Sequence, residues 1–224
     1  DELAKYETNR KNYLIFGFDI GLFNKGLLDI GTFYTDAGRN NPIGNGDESK
    51  LNTFPLNIRM GYLRNMDNSS IAINALYNST IDIANESEFN LDGYYMRTLD
   101  IRSVVWVQKV GGEIVKYWRF SSNKNKESHF YLGVTVNKSF DSKINIKINP
   151  TSGNKMERVN VERKLDAFDA TLKLGWIWYI NKNMGFTYEL NYNFPFGGYS
   201  LSSGFWGLVA GLQWRMEGGL GEIY

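Results

Sequence analysis

Phe205-Trp206-Gly207-Leu208-Val209-Ala210-Gly211-Leu212-Gln213-Trp214-Arg215-Met216 is the stretch that decides the fold. Side chains along a strand point alternately to opposite faces. One face is therefore Trp206, Leu208, Ala210, Leu212, Trp214 and Met216, and the other is Phe205, Gly207, Val209, Gly211, Gln213 and Arg215. The first face is continuously apolar and carries an indole near each end. The second is small or polar and rich in glycine. A soluble sandwich would turn its apolar face inward and expose charge. This pattern instead suits a wall with lipid outside and a tight, wet interior, as in a transmembrane β-barrel.

Working outward, composition agrees. Apolar residues are 42% of the 224, and no run approaches the roughly 18 apolar residues a membrane helix needs. A membrane barrel tolerates such polarity because only alternate residues meet lipid. Aromatic residues are 15%, with 14 Tyr, 14 Phe and 6 Trp. The absence of cysteine excludes a disulfide scaffold, a thiolate metal site and a lipidated N-terminal cysteine. A net charge of +1 gives no reason to expect a nucleic-acid partner. Asp1-Glu2-Leu3-Ala4-Lys5 has no apolar core of a signal peptide, so the expectation is a mature chain with its signal removed.

The same alternation recurs along the chain. Leu14, Phe16, Phe18, Ile20 and Leu22 share a face opposite Ile15, Gly17, Asp19 and Gly21. Further strands are expected at 27–34, 54–62, 71–77, 99–107, 114–121, 130–136, 140–148, 168–178 and 184–194, the 114–121 segment alternating least well. Short turns are expected at Asn24-Lys25-Gly26, Asn65–Asn68, Gly111-Gly112, Asn137-Lys138-Ser139 and Asn181-Lys182-Asn183. Longer polar connections fall at 36–50, 83–91, 122–128, 150–164 and 195–204. Outer-membrane barrels alternate in this way, with short periplasmic turns and longer surface loops. The turns are accordingly expected in the periplasm, and the stretches around Asn45, Asn125 and Asn154 outside.

Eleven strands are awkward, because single-chain bacterial barrels usually have an even number. Adding a short strand over residues 2–8 makes twelve, and demoting the 114–121 segment makes ten. The expected fold is a single domain over residues 1–224: a closed, antiparallel, up-and-down transmembrane β-barrel of twelve strands, with ten as the runner-up.

This organisation resembles small bacterial outer-membrane β-barrels. Two kinds are similar: the twelve-stranded monomeric porins of the oligogalacturonate-channel type, and the smaller barrels of the outer membrane protein A and X type. The terminal Tyr224, in phase with Leu220 and Glu222, matches the aromatic ending of such barrels, although Glu222 and Gly218-Gly219 depart from the pattern. The resemblance is architectural and transfers no functional residue. It implies a bacterial outer-membrane location.

Inward charges are the candidate site. The acids are Asp19, Asp29, Asp100, Asp141, Asp169 and Glu189, and the bases are Arg59, Arg102, Arg119, Lys143, Lys147, Lys173 and Arg215. A conduit dedicated to one ion sign would show one sign in excess. The near balance leaves two readings: a salt-bridge network filling a narrow barrel, or a channel with opposed acidic and basic walls. Tyr62, Trp118, Trp176, Trp178, Tyr188, Tyr192, Trp206 and Trp214 are expected at the lipid interfaces. His129 is the single histidine, with no serine at a motif-grade spacing, and the paired acids Asp166 and Asp169 lack a histidine to work with. No catalytic residue, metal or cofactor is expected. The leading functional expectation is a narrow channel for passive diffusion of small hydrophilic solutes. The alternative is a closed barrel acting as a scaffold or a surface adhesin through its loops, and a soluble ligand-binding barrel is weaker still. Expected partners are membrane lipid, with small solutes or host ligands at the loops, and the expected state is a monomer.

Overall fold

The computed structural model describes residues 12–23, 52–66, 69–86, 89–91, 95–97, 99–123, 126–150, 159–163, 168–196 and 204–217. They form the strands β1 Asn12–Phe23, β2 Asn52–Asn65, β3 Ser69–Glu86, β4 Phe89–Leu91, β5 Tyr95–Arg97, β6 Leu99–Asn123, β7 Lys126–Pro150, β8 Val159–Arg163, β9 Phe168–Tyr179, β10 Met184–Phe196 and β11 Phe205–Glu217. Eight of these make the wall. They follow one another around it as β1, β2, β3, β6, β7, β9, β10 and β11, every pairing is antiparallel, and β11 returns to pair with β1. β4 and β5 form a separate small hairpin, and β8 adds to the far part of β7.

The barrel thus has eight strands, not twelve or ten. Gly111 and Gly112 do not turn; they sit inside β6, paired to Leu76 and Ala75 on one side and to Asn137 and Val136 on the other. Asn137-Lys138-Ser139 likewise lies inside β7. Four expected strands are therefore two strands of 25 residues each. The expected strands at 2–8 and 27–34 lie outside the described residues, and the wall closes without them. The expected loop at 122–128 is also corrected. Asn123 at the end of β6 is paired to Lys126 at the start of β7, at the same end of the wall as the paired ends of β2 with β3 and of β9 with β10.

Alternation places apolar residues outside and polar ones inside. Leu14, Phe16, Phe18, Ile20 and Leu22 are exposed, while Tyr13, Ile15 and Asp19 are buried. Leu172, Leu174, Trp176 and Trp178 repeat this on β9, and Tyr188, Leu190 and Phe194 on β10. No described helix is long and apolar enough to cross a membrane; this wall would cross by strands. A soluble domain rarely leaves so large an apolar belt uncovered.

Register fixes the width. Following paired residues once around the wall leads from Phe23 through Gly207, Asn191, Lys173, Gly133, Val115, Ala72 and Leu63 to Tyr13. The circuit returns ten residues lower on β1. With ordinary strand rise and spacing, this stagger tilts the strands about 40° and gives a backbone radius of about 8 Å. Eight strands enclose an interior that side chains can fill.

One side of the wall is taller. β7 pairs with β9 only as far as Lys138, whereas β6 and β7 stay paired up to Leu99 and Pro150. The upper part of β3 flanks β6 there and β8 flanks β7, and β6 and β7 rise about 20–25 Å beyond the rim at the loop end.

Candidate functional site in the barrel lumen

The stagger brings five charged side chains from five strands to one level. Asp19 on β1, Arg59 on β2, Glu113 on β6, Lys173 on β9 and Glu189 on β10 lie within about 3 Å of the same height along the axis, halfway up the wall. All five are buried, Arg59 at 1% exposure. Arg59 donates from Nη2 to Asp19 Oδ1 and from Nη1 to Glu189 Oε1, both at 3.0 Å. Its Nη1 also lies 3.8 Å from Glu113 Oε1. Lys173 donates to Glu113 Oε2 at 2.5 Å and stands 3.5 Å from Glu189 Oε2.

Three carboxylates thus share two cations, and neutral donors complete their coordination. Tyr131 donates its hydroxyl to Glu189 at 2.8 Å, Thr187 to Asp19 at 3.0 Å and Thr135 to Glu113 at 3.2 Å, while Asn74 Nδ2 reaches Glu113 Oε1 at 2.7 Å. Buried ions persist only when paired and hydrogen-bonded in this way.

Glycine makes the layer possible. Gly17 is paired directly with Arg59, Gly211 with Asp19, and Gly175 with Tyr131. A Cβ at Gly17 would lie 2.3 Å from Arg59 Nε, one at Gly211 2.0 Å from Asp19 Oδ1, and one at Gly175 2.2 Å from Tyr131 Cζ. Each of these inward glycines gives its volume to the long side chain opposite.

Below the layer, towards the turns, Tyr13, Ile15, Leu63, Val115, Tyr117, Tyr131, Ile177 and Tyr179 pack as a buried apolar and aromatic cluster. Gln213 is sealed inside it, donating to the Tyr179 hydroxyl at 2.9 Å. Lower still, Glu127 joins Arg119 at 3.6 Å, His129 Nε2 at 2.7 Å and Arg215 Nη2 at 2.5 Å. The Arg215 guanidinium lies 3.9 Å from the Tyr179 ring centre and 5.1 Å from that of Tyr13. Above the layer, Lys109 pairs with Asp169 beside a cavity of about 30 Å³, lined by Asn78, Thr80, Asn137, Thr171, Asn191 and Asn193 among others. That is room for a water or two.

Asp19, Arg59, Arg119, Asp169, Lys173, Glu189 and Arg215 face the lumen. Lys143 does not; it is exposed on the outer face. The strand register shifts at Phe140, where Ser139 pairs with Lys109 and Asp141 with Gln108, so the faces swap and Ser142 turns inward. Asp29 lies outside the described residues, as do the side chains of Asp100, Arg102 and Lys147. Glu113, Lys109 and Glu127 are lumen charges that sequence reasoning missed. Glu113 and Lys109 flank the supposed Gly111-Gly112 turn, yet they alternate in phase with Val115 and Tyr117, which was the available signal.

Of the expected interface aromatics, Tyr62, Trp118, Trp178 and Trp214 ring the turn end, with Trp176 one outward position above Trp178. Tyr192 and Trp206 are paired at the loop end, their rings 4.6 Å apart. Tyr188 is a correction: it is 58% exposed, but adjoins the mid-layer Glu189 and so lies at mid-height, away from both interfaces.

No family model matches the chain, and no curated protein matches it. Solved structures similar to this chain over most of their length include the following three. Neisserial surface protein A shares 9% identity, with 92% of this chain and 97% of that one covered and a TM-score of 0.42. Ail, the attachment invasion locus protein of Yersinia pestis, in complex with the heparin analogue sucrose octasulfate, shares 10%, with 93% and 99% covered and a TM-score of 0.40. The N-terminal β-barrel domain of Pseudomonas aeruginosa OprF shares 12%, with 92% and 98% covered and a TM-score of 0.34. At such values nothing about activity passes to this chain. By its own closed pairing, apolar wall and polar interior, the chain is an eight-stranded antiparallel β-barrel with the architecture of a transmembrane barrel.

Proposed function

We propose that this barrel is closed to solutes and serves as an outer-membrane scaffold that presents its loop end, with the raised sheet of β3, β6, β7 and β8, to the surroundings. The buried layer of Asp19, Arg59, Glu113, Lys173 and Glu189 carries this reading. A conducting lumen keeps its charges in water, where each is screened separately. Here the charges contact one another directly, above a plug of Tyr117, Tyr131 and Ile177. An eight-stranded wall is narrower than one of twelve and encloses a space that side chains can fill, which weighs against a solute channel. In this reading the turns face the periplasm, the loop end faces outward, and adhesion to an extracellular partner would use the raised sheet and connections rather than the lumen. Purified, folded protein in planar bilayers tests it. The expected result is no steady conductance above a detergent blank. Reproducible conductance that changes ion selectivity in Lys173→Gln would establish the channel instead.

A further inference from the structure

We propose that the outer wall of β2, β3 and β6 at the turn end seats one anionic phospholipid, its phosphate held between Arg64 and Lys116. Among the described side chains of the wall below the Phe140 bulge, the charges on the outward phase are Arg64, Lys116 and Lys138; the exposed Glu217 ends β11 in phase with the inward Arg215. Arg64 is paired with Ile71, and Ile71 with Lys116. Their backbones therefore lie about 10 Å apart across one strand, close enough for both side chains to reach one phosphodiester. Lys116 extends towards the turn end, its Nζ 5.5 Å from the Trp118 ring centre, at the depth where lipid headgroups begin. Neither cation has an ion-pair partner among the described residues, so an anionic headgroup would supply the missing charge.

The wall above the pair fits an acyl chain. Ile73 and Ile114 are cross-strand partners, 64% and 61% exposed. Next above them Ala75 is paired with Gly112, and these two small residues leave a dent flanked by Met60 and Val136. A Cβ at Gly112 would meet nothing nearer than Asn74 O at 4.0 Å, so the outer side there is open. A second copy of this chain fits the same surface poorly. It would bring its own outward cations, and among the described side chains below the bulge no carboxylate is on the outward phase to receive them.

Native mass spectrometry on barrels exchanged into detergent with phosphatidylglycerol tests this. Heat-dependent gel mobility serves to confirm folding of every variant. The wild type is expected to retain one phosphatidylglycerol, to prefer it over phosphatidylcholine, and to hold it against inorganic phosphate. Removing both cations in Arg64→Gln/Lys116→Gln is expected to lower retention about thirtyfold. Filling the dent with Gly112→Leu should also lower retention while both cations remain. The proposal is overturned by equal retention in the double variant, by equal retention of phosphatidylcholine, by unchanged retention in Gly112→Leu, or by a dimer of barrels in place of bound lipid.

Discussion

Arg59 and Glu189 lie 130 positions apart in the chain and three strands apart around the wall, yet Nη1 of the guanidinium donates to Oε1 of the carboxylate at 3.0 Å. That contact exists only because the barrel closes at this width and stagger. It ties β2 to β10 through the lumen, independently of the backbone ladder. Because Arg59 also holds Asp19, its loss leaves Lys173 alone among three carboxylates.

Arg59→Met should therefore cost about 3–5 kcal/mol, the usual penalty for stranding buried charge. Adding Glu189→Gln should recover part of the loss, because one fewer carboxylate is then left without a cation. Urea unfolding in lipid vesicles measures both. Equal, small losses in the single and double variants would mean that the layer is solvated rather than paired.

Gly175→Ala tests the exchange of volume between inward glycines and the side chains opposite. The new methyl would meet the Tyr131 ring and hydroxyl at 2.2–2.5 Å, pushing that hydroxyl off Glu189. Overpacking of this kind costs about 1–3 kcal/mol. Gly112→Ala, on the outer face with open space beside it, should change stability by no more than about 0.5 kcal/mol. Similar losses for the two variants in the same unfolding assay would show that the inward glycines are not making room for side chains.

The faces of β1, β9, β10 and β11 could be read from the sequence because each has a long, uninterrupted period of two. The strand count could not, for a geometric reason. A three-residue turn places its flanking residues i and i+4 on one face, and so does an unbroken strand. Val136 and Phe140 meet that condition inside β7 as fully as Ile180 and Met184 do at a real turn. The face swap at Phe140 then put Lys143 on the wrong side, since a bulge adds a residue without changing composition. The mid-lumen layer was visible only as a set of inward charges. Which of them share a level depends on the stagger, and the stagger on the true number of strands.

The connectivity of β6 and β7 makes a prediction about sidedness. β6 ends at Asn123 and β7 begins at Lys126 at the same end as Lys182, so a residue between them, such as Asn125, is expected there too. Single cysteines at Asn125 and Lys182 should both be protected from an impermeant thiol reagent on intact cells and both react after the outer membrane is opened. Cysteines at Asn45, between β1 and β2, and at Asn154, between β7 and β8, should react on intact cells. Labelling of Asn125 together with Asn45 would require β6 and β7 each to be broken in two.

Arg215 distinguishes a sealed lower lumen from a hydrated one. Its Nη2 donates to Glu127, its Nε donates to the Lys182 carbonyl at 2.5 Å, and its flat guanidinium lies over Tyr179 at 3.9 Å. Arg215→Gln removes the charge-assisted contact and the ring contact together, for a loss of about 2–4 kcal/mol. Arg215→Lys keeps the charge but lacks the planar fork and its stacking, so most of that loss should remain. A charge lining a wet channel would behave differently: Gln would barely alter melting and would shift selectivity towards cations. In the sealed barrel both variants melt lower while conductance stays at the blank level, because Tyr117, Tyr131 and Ile177 still fill the lumen above. Thermal melting and bilayer recordings on the same preparations decide the matter. An Arg215→Gln protein that melts like the wild type and passes cation-selective current would overturn the closed barrel.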